Sequence, residues 1–270
     1  MKNLLYKVFF NSLAVILFHF GPPTMPCNGQ ETGLKKADMD TGYELYDRVL
    51  QNYVKDGKVA YLALRDSPEE LDKYLSWLAH TKPNKLETAE ESLAFWINAY
   101  NAFVLKGVLD TLPEKTEDIS SYSVKRTRAF FTIEKFVVGG SYYSLDEIEN
   151  NILRPIFKDP RVHFSIVCAS QSCPVLQGKA FRGGDIHKRL EEATKRFLSN
   201  KNRFKIDREN KIVYLSRIFR WFEEDFEGAK GSLYDFIADY LESEEDRAFI
   251  KKGNFTIKYL DYDWSLNIKP

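Results

Sequence analysis

Apolar residues recur at helical spacing through Tyr46, Val49, Leu50, Tyr53 and Val54, and Asp56-Gly57 ends that pattern. The following run, Val59-Ala-Tyr-Leu-Ala-Leu64, is short and almost wholly apolar, which predicts a strand. Ser67-Pro68-Glu69-Glu70 opens a helix with a cap, Pro at the first helical position and an acid three residues after the cap. Leu71, Tyr74, Leu75 and Leu78 form its buried stripe.

The next helix is the most informative element. Thr88-Ala-Glu-Glu91 is a second capping box, and the helical pattern runs on to about Leu112, where Pro113 stops it. From Leu93 to Leu105 no residue is charged. A helix that is apolar on every side must be surrounded by protein or lipid. This run is too short, and with two Asn too polar, to span a bilayer, so it predicts a central helix wrapped by the rest of a domain.

Phe130 to Val138, the pair Gly139-Gly140 and Ser141 to Tyr143 predict a hairpin, and Ser144-Leu-Asp-Glu147 caps a helix running to about Leu153. Arg161 to Cys168 reads as a strand emptying into the small-residue loop Ala169-Ser-Gln-Ser172. A helix over 186–198, a hairpin over 204–215, short helices near 217–225, 233–242 and 244–251, and a strand over 255–260 complete the series. No repeat or linker divides residues 43–270. The expected fold is α+β, a single domain with a buried central helix packed against a small, mostly antiparallel sheet.

The chain begins differently. Met1 to Phe20 combines Lys2 and Lys7 with an apolar stretch that Gly21-Pro22-Pro23 breaks, the pattern of an export signal, and residues 1–27 are expected to be a processing segment. Thr24-Met25-Pro26 before Cys27 leaves three outcomes open: lipid attachment at Cys27, simple cleavage, or a retained anchor. Residues 28–42 are polar and aperiodic and read as a tether. With 39 basic and 39 acidic side chains among 270 residues, the formal charge is zero, and no basic stripe suits nucleic acid. Periplasm or cell envelope is the expected location, with membrane contact only through the N-terminal segment.

Three features could carry chemistry. Glu91, Asn98 and Asn101 share one face of the central helix, and buried Asn requires hydrogen-bond partners. Glu91 is also what a capping box needs, and the asparagines could equally clamp a neighbouring backbone. His163 is the only histidine expected in a core element, where it serves either as a general base or as a hydrogen-bonded structural residue. In a regular strand it would point away from Cys168, five residues on. Cys168-Ala-Ser-Gln-Ser-Cys173 reads as a disulfide-closed loop in an oxidising compartment, as a reactive thiol, or as part of a metal site lacking a recognisable fourth ligand. No nucleotide-binding loop or zinc-protease motif occurs, and no cofactor or metal is called for.

At these residues the chain resembles a known family, the one catalogued as domain of unknown function 547. The stretches that carry the resemblance are Leu93 to Ala102, Ser144 to Glu149 with Ile152-Leu-Arg-Pro155, and Asp159 to Pro174. Ser216 to Phe222 before Asp225-Phe226, and Tyr259 to Asn267, also fit it. The resemblance implies envelope proteins in bacteria and parts of larger eukaryotic proteins, and no established activity. By analogy, a buried helix against a histidine-bearing sheet is similar to papain-like and transglutaminase-like thiol enzymes, whose nucleophilic Cys sits at the helix N-terminus. Here Glu90-Glu91-Ser92 stands there. Two functions are therefore expected to compete. One is a thiol hydrolase or acyl transferase acting on peptide or amide bonds, with Cys168 or Cys173 as nucleophile, His163 as base, and Glu91 or Asn98 orienting the imidazole or stabilising an oxyanion. The other is a non-catalytic module whose disulfide-braced loop, Ser170 and Cys173 included, lies over Asn98 and Asn101 and recognises an unidentified small-molecule, peptide or envelope partner.

Overall fold

Thr88 Oγ1 accepts the Glu91 N–H and starts helix α4, Ala89–Thr111, around which the rest of the fold is arranged. Every residue from Leu93 to Leu105 is buried, with Phe95, Trp96, Ile97 and Phe103 each at most 5% exposed, as the charge-free run predicted. The computed structural model describes residues 36–114, 119, 121–126 and 129–269. The expected export signal, and the tether up to residue 35, lie outside them.

Before α4 come α1 (Lys36–Tyr53), the short antiparallel pair β1 (Val54–Lys55) and β2 (Lys58–Val59), α2 (Tyr61–Asp66) and α3 (Glu69–His80). Helix α1 takes in the last seven residues of the stretch read as a tether, and it buries Met39 there. The expected strand over 59–64 is mostly α2. Tyr61 and Leu64, one helical turn apart, are its buried pair, so the apolar run was a helix face.

After α4 come α5 (Ala129–Thr132) and the hairpin β3 (Phe136–Val138) and β4 (Ser141–Tyr143), turning at Gly139-Gly140. Both glycines have positive φ, 57° and 85°, the conformation a two-residue hairpin turn requires. Ser144 makes both bonds of its capping box and starts α6 (Leu145–Ile148), which runs directly into a π-helical segment, Glu149–Phe157. Helix α4 packs mainly among helices; the hairpin reaches it through Phe103 stacked on Phe136, centroids 4.5 Å apart.

The expected strand over 161–168 does not form. Asp159 Oδ1 accepts the Arg161 N–H, Pro160 takes the first position, and Pro160–Phe164 is a 3-10 turn. That turn lies at a seam between two hydrophobic cores. Val162, Ile166 and Val167 join the core around α4, whereas Phe164 joins a second core with Phe197, Phe219, Phe226 and Phe236. The second core is built by α7 (Ile186–Ser199), the sheet of β5 (Phe204–Asp207), β6 (Ile212–Leu215) and β7 (Thr256–Tyr259), and helices α8 (Arg217–Trp221), α9 (Glu223–Lys230), α10 (Leu233–Asp239) and α11 (Glu244–Lys252). Strands β5 and β6 are antiparallel, and β7 adds parallel to β6. The fold class is mixed α+β with small sheets, as expected. Among the described residues no helix is long and apolar enough to cross a membrane.

Residues 263–269 tie distant pieces together. Asn267 donates its N–H to Ala169 O and accepts the Val59 N–H, while its side chain joins Tyr61 OH and Gly57 O. Gln171 N–H and Ser172 N–H donate to Ser265 O and Asp263 O. The loop 168–173 is thereby zipped along this segment.

Candidate functional site

Two asparagines and one arginine position the backbone from which the site is made. Asn101 Nδ2 donates to Ser165 O and its Oδ1 accepts the Val167 N–H, both at 2.9 Å. Asn98 makes the same two-bond clamp on Phe181, both bonds 2.8 Å. Both asparagines thus bond backbone through both ends of the amide, the clamping role foreseen for them. Arg203, buried and stacked over Phe197, gathers the carbonyls of Gln171, Ser172 and Cys173 with its guanidinium. Nothing in its surroundings in the sequence announced that role.

Above these clamps opens a cavity of about 280 Å³. Its walls are Tyr100, Phe131, Trp221, Phe222, Tyr262 and Trp264; its polar groups include His163, Glu149, Asp146 and Asn150; Cys168 and Cys173 form part of one side. Among the described residues no Lys or Arg lines it. His163, Cys168 and Cys173 therefore do meet at one place. Because the chain turns at 160–164 instead of running as a strand, the alternation that would have pointed His163 away from Cys168 does not apply.

His163 is 2% exposed and lies flat on Phe222, ring centroids 3.8 Å apart. Its Nε2 is 2.7 Å from Asp225 Oδ2 at the start of α9. Arg154, from the π-helical segment, donates Nε and Nη2 to the two oxygens of the same carboxylate. Burial pushes the Asp225 carboxyl up, but the bonds from His163 and Arg154 outweigh it and hold the acid well below the usual carboxylate range. Burial pulls the His163 imidazole below its ordinary value, against the opposing pull of Asp225. A neutral imidazole beside an ionised Asp225 carries its proton on Nε2, which leaves Nδ1 as a bare acceptor. Nδ1 is buried, has no hydrogen-bond partner, and faces Glu149 Oε1 at 3.9 Å.

Glu149 begins the π-helical segment and accepts from Tyr100 OH at 3.3 Å. Burial raises its carboxyl to about 7 despite the nearby charge of Arg154. A carboxylic acid that titrates near neutrality thus faces the open nitrogen of a neutral imidazole at the wall of an aromatic cleft.

Glu91 lies elsewhere. Its carboxylate accepts the Glu87 N–H at the start of α4, and Gly183 packs so close that a Cβ there would come within 2.9 Å of Glu91 N. Neither Glu91 nor Asn98 lines the cavity, and the group that orients the imidazole is Asp225. Cys168 Sγ lies at disulfide distance from Cys173 Sγ, with Cα atoms 5.9 Å apart, and also contacts Ser170 Oγ at 3.1 Å and Tyr262 OH at 3.4 Å. Ser170 is buried, bridged to Leu266. Among the described residues no group of three or more His, Cys, Asp or Glu is placed to hold a metal ion.

The segments that converge here, 93–102, 144–149 with 152–155, and 159–174, are among those on which the family resemblance rests. Residues 83–198 match the model of the family described as "Protein of unknown function, DUF547". The resemblance to DUF547 is thereby shown. No curated protein and no solved structure matches the chain. Within the DUF547 stretch lie the helix clamp, Glu149, Arg154, His163 and both cysteines, whereas Asp225, Tyr262 and Trp264 follow it. Glu149, Arg154, Asp225 and Tyr262 were missed as site residues although each sits in a segment that carried the resemblance. The signal was present, but nothing local assigned them to His163.

If the two sulfurs are bonded, unreduced protein should resist iodoacetamide at Cys168 and Cys173, and prior reduction should expose both to labelling, read by peptide mass mapping. So short a closed loop stabilises by only about 2 kcal/mol, so reduction should lower the melting temperature modestly. Rapid labelling of Cys168 without reduction would show a free thiol instead.

Proposed function

We propose that this is an exported envelope protein whose cleft performs acid–base chemistry, hydrolytic in type, through Glu149 and His163 and without a thiol nucleophile. The observation that carries the proposal is the buried, unpartnered His163 Nδ1 facing Glu149 at the cleft wall, with Asp225 fixing the opposite nitrogen. An acid that titrates near 7 can hand a proton to a leaving group, while a neutral imidazole held in one tautomer can take one from water. The pairing of Cys168 with Cys173 removes the sulfur that a thiol hydrolase would need. The export reading rests on the sequence of residues 1–27, and the papain-like analogy loses its nucleophile at both expected places.

A panel of chromogenic amides, esters and glycosides tests the proposal. Turnover should survive Cys168→Ser with Cys173→Ser and fall about 10²-fold or more in Glu149→Gln and in His163→Ala. It should also show a bell-shaped pH profile, since His163 must be neutral and Glu149 protonated. The acidic limb should lie below the ordinary imidazole range and the alkaline limb near 7. Turnover that requires Cys168 would restore the thiol mechanism.

A second reading has its own support. Arg203, the zipped segment 263–267 and the cysteine pair hold the loop 168–173 rigid, as a recognition surface would require. A protein that turns over nothing in the panel yet binds a ligand in the cleft would be that module.

A further inference from the structure

Three groups at the cleft bring acceptor atoms together. His163 Nδ1 is a bare lone pair nine-tenths buried, and Glu149 and Asp146 are carboxyls, with no Lys or Arg among the described residues of the lining. Around them stand six aromatic side chains, and Trp221 remains 44% exposed beside Tyr262 and Trp264, with ring centroids 4.8 and 5.8 Å away. The rings of this region already take cations where the fold supplies them. Lys125 Nζ sits over Trp264 at 5.4 Å, and Arg154 lies over Phe222 at 5.1 Å.

A ligand for such a place must donate hydrogen bonds, must not be anionic, and gains from positive charge next to an aromatic face. A quaternary ammonium has the charge but no N–H for His163 Nδ1. A neutral hydroxylated chain has donors but no charge for the carboxylates. We infer that the cleft takes the protonated primary amine of a ligand whose body is apolar, the ammonium lying between His163 Nδ1 and the carboxyls of Glu149 and Asp146, and the body lying against Trp221, Trp264 and Tyr262. The inference deepens the proposed function by naming its product class, the amine that hydrolysis of an amide leaves protonated beside an ionised Glu149, and it rests on that reading for the location of the site.

Four probes of equal chain length separate the alternatives: hexylamine, hexan-1-ol, hexyltrimethylammonium and hexanoate, each followed by calorimetry and by tryptophan fluorescence on the full chain. At pH 8 hexylamine should bind at least about tenfold more tightly than any of the other three. Glu149→Gln and, separately, Asp146→Asn should each weaken hexylamine by about tenfold and leave hexanol unchanged. Trp221→Ala should weaken both and reduce the fluorescence response. The preference for hexylamine should shrink at pH 6, because protonation of Glu149, which faces Tyr100, His163, Asp146, Arg154 and Asp225, removes a charge from the site. Hexanol, hexanoate or the quaternary ion binding as well as hexylamine would overturn the inference, and so would no binding of any probe at about 10 mM. These readouts need no turnover, so an inert but amine-binding cleft would overturn the acid–base proposal alone, and turnover without amine preference would overturn this inference alone.

Discussion

Asn101→Leu should cost about 2–5 kcal/mol of folding stability. The leucine fits the helix but leaves two backbone groups, Ser165 C=O and Val167 N–H, buried without partners, and each orphan costs about 1–3 kcal/mol. In a domain of this size the melting temperature should drop by roughly 4–20 °C. Asn101→Asp should fall between, since it keeps the acceptor for Val167 N–H and loses the donor to Ser165 O. The damage should also reach the cleft, because Ile166 and Val167 are part of its wall. The His163 ring resonances, followed by NMR, should therefore shift in Asn101→Asp. Unchanged melting in Asn101→Leu would mean that the clamp contributes nothing.

Glu149→Gln should stabilise the protein, and only at neutral and alkaline pH. The folded state holds the Glu149 proton up to about 7, whereas the unfolded chain releases it at the ordinary 4.5. The stabilisation that comes with the protonated form is complete below 4.5 and is lost as the pH rises through 7. Glutamine has no proton to lose and can still accept from Tyr100 OH. The variant should match the wild type near pH 4 and exceed it above pH 8 by at most about 3 kcal/mol, the worth of the raised pKa. The carboxylate is only 16% exposed, so water screens little of this effect. Chemical denaturation at pH 4, 6 and 8 measures it. A constant difference across the three would mean that Glu149 titrates as an ordinary surface acid.

What could be read from the sequence was what local chemistry dictates. Thr88 and Ser144 cap the helices they were expected to cap, Pro113 ends α4, and Gly139-Gly140 makes the turn. The absence of charge between Leu93 and Leu105 announced its burial. Errors arose where one short apolar run could serve two geometries. Tyr61 and Leu64 are one turn apart as well as part of an apolar run, and the helix prevailed. From Val162 to Val167 every residue is buried, so the run offered no alternation to distinguish a strand from a turn at the seam of two cores. His163 and the cysteines were visible because their residue types are chemically conspicuous. Glu149 and Asp225 are ordinary acids in a chain rich in them. What makes them a site is contact with a histidine 14 and 62 residues away, which the fold creates and no local pattern encodes.

The clasp made by residues 263–269 has a consequence for how the cleft comes into being. Tyr61 and Asn267, joined side chain to side chain, are 206 residues apart, and the bond from Asn267 Nδ2 to Gly57 O spans 210. Contacts of that span carry the largest loop-closure cost and close late on a folding pathway. The same segment holds one wall of the cleft, through Trp264, and fastens the loop 168–173. Before that segment docks, α4 can gather its helices, but His163 and Glu149 face no closed cleft. The chemistry proposed for the cleft therefore waits on the docking of residues 263–269.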